Sequence, residues 1–516
     1  MQTSLTEKEL PVQQLQRRTD RAALAPSSSW ICLAIAAALL PFAYGVDNVP
    51  VAAWLAPVFL LRFVRAQSRK IGLPIAYIVL VATCAFQLRG MVPIPGIGYY
   101  IFFVLWGIPL ALPYIVDRLV ADRLTGIATS LIFPTAWAAT EYAVSDGPFA
   151  SWGSAAYSQY GDLPLLQMLA VTGLWGVTFL MGWFAAVCNW LWEEGLDSRR
   201  AHRGAWLCFG TIGLVMLAGG ARMALFPPSS ETVRVASVSR RAVEPELSDA
   251  VSDRMWDGKA TAEDMVLIRR WATARDEDLF ARAEREMKAG ARIVFWGEGN
   301  AILMKEDEPA FVARGQELAP KYHVYLGMGL GVLNMGRSRP VENKLVLIEP
   351  NGQVAWEYHK AHPVPGPDAE RQVRGDGKLR ALDTPYGRLS AIICFDADSP
   401  QLLAQAGALR ADVMLDPSND WRAIDPWHTQ MASFRAIEQG FNLIRQTSTG
   451  LSATYDYQGR QLAAMDHYHT TDYAMVSQVP TRGVRTIYSR LGDWFAWVCL
   501  VGLASLTILS LRQRRG

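Results

Sequence analysis

The apolar excess of this chain is confined to two parts, residues 28–226 and a final stretch at 492–511. Within the first block the candidate spans are 28–45, 48–61, 72–88, 98–116, 124–142, 164–192 and 205–226. Several reach the ~20 apolar residues that cross a ~30 Å hydrocarbon layer. Span 48–61 is short, so it must extend, tilt or insert only in part. Arg17, Arg18 and Arg21 ahead of the first span have the outline of a signal peptide. Further spans follow at once, so the stretch reads as the first helix of a bundle. Only 19% of residues are charged, against ~25% in an average soluble domain, which disfavours disorder and an ordinary cytosolic enzyme. A net charge of +2 supplies no basic field, so nucleic acid is not an expected partner.

The charges between spans set count and orientation together. With the N-terminus inside, the inner segments hold Lys8, Arg17, Arg18 and Arg21, then Arg62, Arg65, Arg69 and Lys70. Arg118, Arg123, Arg199, Arg200, Arg203, Arg512, Arg514 and Arg515 follow. The short outer loops hold Arg89, with Arg222 if it lies beyond its span. Only an even number of spans sorts the charges this way, so eight are expected, with both termini cytoplasmic. The expected domains are a cytoplasmic segment 1–27, a seven-helix membrane domain 28–226, an outward soluble domain 230–490 and an eighth helix at 492–511.

In the soluble segment, short apolar runs at 233–238, 292–296, 324–328, 345–348, 389–394, 413–415 and 442–446 alternate with helical patterns near 264–289, 402–410 and 428–438. That alternation predicts a layered α/β domain. Six cysteines in so long a chain exclude a disulfide scaffold. Five of them lie in or beside apolar spans, which leaves Cys394 alone in the outward domain. Leu389–Ile393 runs straight into it, and Phe395, Asp396, Ala397, Asp398, Ser399 and Pro400 follow. A thiol at such a strand end is either a small buried hydrophobe or a nucleophile with backbone N–H groups nearby. Glu298 stands just past the run ending Phe295-Trp296-Gly297. Lys360 follows the extended aromatic stretch 353–359.

Glu298, Lys360 and Cys394, in that order, resemble the Glu–Lys–Cys set of the nitrilase superfamily. The likeness narrows with Glu141-Tyr142, Phe149–Gly153, Tyr157–Tyr160, Gly173–Gly176, Pro417–Trp421, Gln430–Glu438, Thr449-Gly450 and Leu491–Asp493. Together they are similar to the apolipoprotein N-acyltransferase family from about residue 30 onward. The resemblance implies eight transmembrane helices plus a nitrilase-like α-β-β-α sandwich, in a bacterial inner membrane with the sandwich on the periplasmic side. It implies no cofactor and no metal. Glu298 would be the general base, Lys360 the oxyanion-stabilising cation and Cys394 the nucleophile. An acyl chain would pass from a phospholipid to the thiol, and then to the α-amine of a diacylglyceryl-cysteine lipoprotein.

The pattern departs in places. After the lysine the family's glutamate position falls on Asp368, with Glu370 two residues on, and the pair after the nucleophile is Phe395-Asp396 in place of tyrosine and glutamate. The first strand ends Ser239-Arg240-Arg241 in place of glutamine-glycine-asparagine. Asp368, Phe395, Asp396, Trp421 and Asn343 are therefore the auxiliary or substrate-binding candidates. His359 and His362 flank Lys360 and are expected to be structural, Trp421 and His428 lie where the resemblance puts an active-site loop, and Tyr99, Tyr100 and Trp152 are candidates for headgroup-level anchors. Gly327–Gly331 lacks dinucleotide-motif spacing, so close backbone packing is expected there. An amidase, or an acyltransferase using another amine acceptor, is the alternative activity. A non-catalytic scaffold is disfavoured because all three positions of the set are filled.

Overall fold

The computed structural model describes residues 26–195, 198–241 and 246–513. The expected cytoplasmic segment with Lys8, Arg17, Arg18 and Arg21, and the terminal Arg514 and Arg515, lie outside the described residues.

The first half is helical: α1 Pro26–Leu39, α2 Pro50–Ala66, α3 Arg69–Gln87, α4 Ile97–Val120, α5 Ala128–Ser145, α6 Leu174–Glu194 and α7 Arg199–Leu225. Pro50 opens α2 at a position where a missing N–H costs nothing. Among the described residues five helices are long and apolar enough to cross a membrane: α3, α4, α6, α7 and the C-terminal Trp494–Arg512. The other three fall on expected spans but are weaker. α1 and α2 have 14 and 17 residues, and Thr129, Ser130, Thr135, Thr140 and Glu141 dilute α5. α6 is the central helix, whereas α7 leaves Trp206, Leu214 and Leu217 exposed and the C-terminal helix exposes Trp497 and Val501. Apolar side chains in rows on a helix face call for a non-aqueous solvent.

The expected single span at 164–192 is corrected. Two short helices, Leu163–Leu166 and Leu169–Thr172, precede α6, and Gly173 between them and α6 has φ +64°. A Cβ there would lie 2.4 Å from the Tyr488 ring. The short helices serve the domain junction, where Gln167 donates to the Gln458 carbonyl at 3.0 Å.

Residues 232–480 form two stacked sheets. The strands are β1 Thr232–Val238, β2 Ile293–Trp296, β3 Ala301–Met304, β4 Tyr325–Leu333, β5 Val341–Ile348, β6 Val354–His359, β7 Ala381–Thr384, β8 Gly387–Ala391, β9 Val413–Ser418, β10 Asn442–Thr447, β11 Leu451–Tyr455, β12 Gln461–Asp466 and β13 Ala474–Pro480. One sheet runs β13-β1-β2-β4-β5-β6 with β3 against β4, and the other β12-β11-β10-β9-β8-β7. Their centres are parallel (β1–β2–β4 and β8–β9–β10) and their flanks antiparallel. Val235, Ile293, Phe295 and Leu345 of the first sheet meet Leu389, Val413, Leu415 and Leu443 of the second in one core.

The four chief helices of this domain are α8 Ala262–Lys288, α9 Glu308–Tyr322, α10 Pro400–Leu409 and α11 Trp427–Gln439. A capping box starts α8: Asp264 N donates to Thr261 Oγ1 at 3.2 Å and Thr261 N to Asp264 Oδ2 at 2.8 Å. α8 and α9 cover the first sheet through Leu279, Phe280, Met287 and Ala319. α10 and α11 cover the second, and α11 turns Met431, Phe434 and Ile437 toward the helical half, where they join Trp152, Tyr157 and Leu169. The result is an α-β-β-α sandwich docked by one helical layer onto the bundle.

Candidate active site

Three strand ends of the sandwich bring the candidate residues to one place. Past β2 the chain turns through Glu298 toward β3. Ser448 Oγ donates to the Glu298 carbonyl at 2.6 Å, and Asn300 Nδ2 donates to the Val238 carbonyl at 3.0 Å, which pins that turn. Gly329 on the neighbouring β4 makes the turn possible, because a Cβ there would sit 2.2 Å from the Gly297 oxygen. The glycine run thus does packing work.

Past β6, Lys360 N donates to the Asn343 carbonyl at 2.9 Å, extending the ladder by one residue. Lys360 Nζ donates to Glu298 Oε1 at 2.6 Å, and Asn343 Nδ2 donates to the same oxygen at 2.6 Å. All three side chains are buried. Burial works against the ammonium, yet the charges of Cys394, Glu298 and Asp368 hold its pKa above the usual lysine value.

Past β8, Cys394 opens a single 3-10 turn, Cys394–Asp398, at φ +53°. A non-glycine residue in this left-handed region is strained and persists where its surroundings over-determine it. Here they do: Cys394 N donates to Asp416 Oδ1 at 2.9 Å, and Asp416 is ion-paired to Arg445 at 2.5 Å with both side chains fully buried. Burial pushes the thiol pKa up and Glu298 adds to that, while Lys360 and His428 pull it down.

His428 stands between two carboxylates, Nδ1 at 2.7 Å from Asp420 Oδ1 and Nε2 at 2.9 Å from Asp398 Oδ2. Burial and Arg445 oppose its charge, but Asp420 and Asp398 raise its pKa well above that of a free imidazole. Cys394, Asp420 and His428 have donor atoms within 4.8 Å of one another, as a metal site requires. Asp420 already accepts from Arg445 and both ring nitrogens already face acids, so the cluster reads as a charge network.

The thiol lies at the junction of two unlike spaces. Glu298, Lys360, Asn343 and Asp368 join it in a polar chamber of about 650 Å³. Phe395 joins it in an apolar groove whose far wall comes from the helical half, from Met91, Val92, Phe102, Trp106, Phe149 and Trp152. Trp421 and Val364 line both spaces, and Trp421 Nε1 donates to the Gly90 carbonyl at 2.9 Å. Burial pushes Asp368 up.

Asp396 lines neither space. It accepts from Tyr358 Oη at 2.8 Å, His362 N at 2.7 Å and Ile393 N at 3.1 Å, clamping the lysine segment to the cysteine turn. Tyr99 joins an aromatic cluster with Phe103, whereas Tyr100 is exposed. Sequence reasoning passed over Asp416, Arg445 and Asp398. The one available signal was Arg445 itself, a cation within the apolar run 442–446, which calls for a buried acid.

Fold and site together define a carbon–nitrogen hydrolase-type domain carried on an apolar helix bundle. Residues 259–485 match the family model for carbon-nitrogen hydrolase, and residues 36–187 match that for the apolipoprotein N-acyltransferase N-terminal domain. The chain belongs to the apolipoprotein N-acyltransferase family, which makes it a membrane acyltransferase by class. The apolipoprotein N-acyltransferase of Geobacter metallireducens is 24% identical over 95% of this chain and 96% of its own length. That of Bradyrhizobium diazoefficiens is 29% identical over 70% of this chain and 69% of its own. Among solved structures, an amidase from Nesterenkonia sp. is 16% identical and covers 49% of this chain and 92% of its own, with a TM-score of 0.37.

Proposed function

We propose that the protein transfers an acyl chain from a phospholipid, through a thioester on Cys394, to the amino terminus of a diacylglyceryl-cysteine lipoprotein. The observation that carries this reading is the position of the thiol between the groove walled by the bundle and the polar chamber. A substrate with a greasy tail and a polar head fits such a junction, with its ester at the sulfur. Glu298 takes the thiol proton and the sulfur attacks the ester carbonyl. Lys360 stabilises the developing oxyanion, and the glycerol oxygen leaves as a lysophospholipid carrying the proton from Glu298. In the second half the amine attacks the thioester, Glu298 accepts the amine proton, and the thiolate departs as the amide forms. Asn343 orients Glu298, while Asp368, Phe395 and Trp421 line the substrate path.

The reading includes eight spans with both termini cytoplasmic, the domain limits given above, and the sandwich on the periplasmic side of an inner membrane. Basic Arg62, Arg65 and Arg118 sit at the helix ends opposite the loops that touch the sandwich, in keeping with that orientation. The test is mass spectrometry of the purified full chain after incubation with phospholipid, followed by a diacylated lipopeptide. A hydroxylamine-sensitive acyl adduct on Cys394 that the lipopeptide discharges is expected, and Cys394→Ala and Glu298→Gln should abolish it. Absence of the adduct sinks the reading. Discharge only to water would make the protein a nitrilase-type hydrolase, with amidase activity to be checked on an amide donor, and discharge only to other amines an acyltransferase with a different acceptor.

A further inference from the structure

The polar chamber extends past the candidate triad to a wall that the proposed acyl transfer does not use. Arg240, two residues beyond β1, and Arg275, on α8, both line it. Arg275 is 4% exposed; among the described residues its Nε has no hydrogen-bond partner, and its one hydrogen bond is a long 3.4 Å contact from Nη2 to the Asn300 carbonyl. Its guanidinium lies 4.1 Å over the Trp271 ring, which fixes its plane. Among the described residues neither arginine makes an ion pair. Burial together with the neighbouring Arg240 pushes Arg275 down to about 9, with Asp276 next in the chain and Glu246 offsetting only part of that, and Glu246 also offsets part of the charge of Arg240. Two cations that repel each other across one space, with no ion pair among the described residues, are costly to keep unless an anion joins them.

Both flank the turn that carries Glu298. Arg275 touches Asn300, and Asn300 in turn holds the Val238 carbonyl just before Arg240. In a phospholipid only the glycerol separates an acyl carbonyl from the phosphate. If the tail lies in the groove, the headgroup must lie on the chamber side of the thiol. We propose that Arg240 and Arg275 form a phosphate subsite that holds the headgroup phosphodiester of the donor while its acyl carbonyl is at Cys394. This rests on the thioester reading above. Guanidinium forks suit phosphate oxygens, and phosphate is the one anion every phospholipid donor brings. The Ser239-Arg240-Arg241 strand end, a departure from the family pattern, thereby acquires a use.

The test measures thioester formation on the full chain with dipalmitoyl phosphatidylethanolamine and with dipalmitoylglycerol, which has the same esters and no phosphate. Wild type should prefer the phospholipid, and Arg240→Gln should lower the ratio of the two rates about tenfold. Arg275→Gln should act the same way; should it fail to fold, the half-buried Arg240 still carries the test. Added inorganic phosphate should slow the phospholipid reaction of wild type and affect Arg240→Gln less.

Equal loss on both donors would make the arginines structural and overturn the proposal. Competition by inorganic phosphate with an unmoved donor ratio would assign the site to free phosphate instead. A loss confined to discharge by the lipopeptide would assign it to the acceptor. Absence of any adduct in wild type defeats the thioester reading and this proposal together, whereas the other failures leave the adduct intact.

Discussion

Cys394 is held by opposing influences, and their signs can be read one residue at a time. Burial and the Glu298 charge raise its pKa, while Lys360 and His428 lower it. Its alkylation rate should therefore climb with pH about a midpoint above the ~8.5 of a free thiol. Glu298→Gln removes a raising charge, so its midpoint should fall. Lys360→Met removes a lowering charge and should move the midpoint up. Iodoacetamide labelling followed by peptide mass spectrometry isolates Cys394 from the five cysteines of the helical half. Identical midpoints in all three proteins would show that neither charge reaches the sulfur. At this scale the candidate triad was legible as a grouping, because acid, cation and thiol each follow a strand in the chain itself. The network behind it was not. Asp416, Asp398 and Arg445 gain meaning only once β9, β10 and the cysteine turn lie side by side.

β9 and β10 form the element on which that turn rests. They pair in parallel with Asp416 directly opposite Arg445, so the register itself makes the buried ion pair. Arg445 also contacts Asp420, which faces His428. Removing the guanidinium alone strands two buried carboxylates, and Arg445→Leu should cost about 3–5 kcal/mol. The double change Arg445→Leu with Asp416→Leu leaves less charge unpaired, so it should be less destabilised than the single one. Thermal unfolding of the detergent-solubilised protein gives the order, and simple additivity would mean the two charges do not act as a pair. Buried parallel strands were foreseeable as apolar runs. β3 and β7 have four residues each, and β12 is mostly exposed with no two-residue alternation. Pairing across the sheet, not local pattern, makes them strands.

The whole molecule joins two solvents through one seam, and the cysteine turn is part of it. Ser151, on the loop after α5, donates from N and Oγ to the Asp398 carbonyl at 3.0 and 2.7 Å. Arg435 on α11 reaches Ser151 at 2.7 Å and also bonds Tyr157, Glu438 and the Ala397 carbonyl. Trp175 of α6 donates to Asp493 at 2.6 Å, which also accepts from Tyr488. A sandwich cut free of the bundle would lose half its groove wall and one clamp on the turn. This seam was not legible, because its partners lie up to several hundred residues apart. The expected sidedness, by contrast, is a sequence argument, because basic residues concentrate at alternate loops and the short outer ones hold little beyond Arg89.

Sidedness yields the last prediction. If every expected span crosses, the chain is outside after α7 and inside after the C-terminal helix. Alkaline phosphatase is active only outside, and a cytoplasmically folding fluorescent protein lights up only inside. A truncation fused after Pro228 should give phosphatase activity without fluorescence, and a full-length fusion at Gly516 should give the reverse. The short α1 and α2 are the weak points, since a helix of 14 or 17 residues reaches roughly 21–26 Å at 1.5 Å per residue. They cross only if the layer thins locally or the helix ends extend. If α1 and α2 together form a hairpin that enters and returns, both fusions still report as above. If only one of the two crosses, the outcome depends on where the N-terminus lies. A tag at residue 1 that resists protease in intact spheroplasts, together with phosphatase activity at Gly516, would leave an odd count and end the eight-span reading.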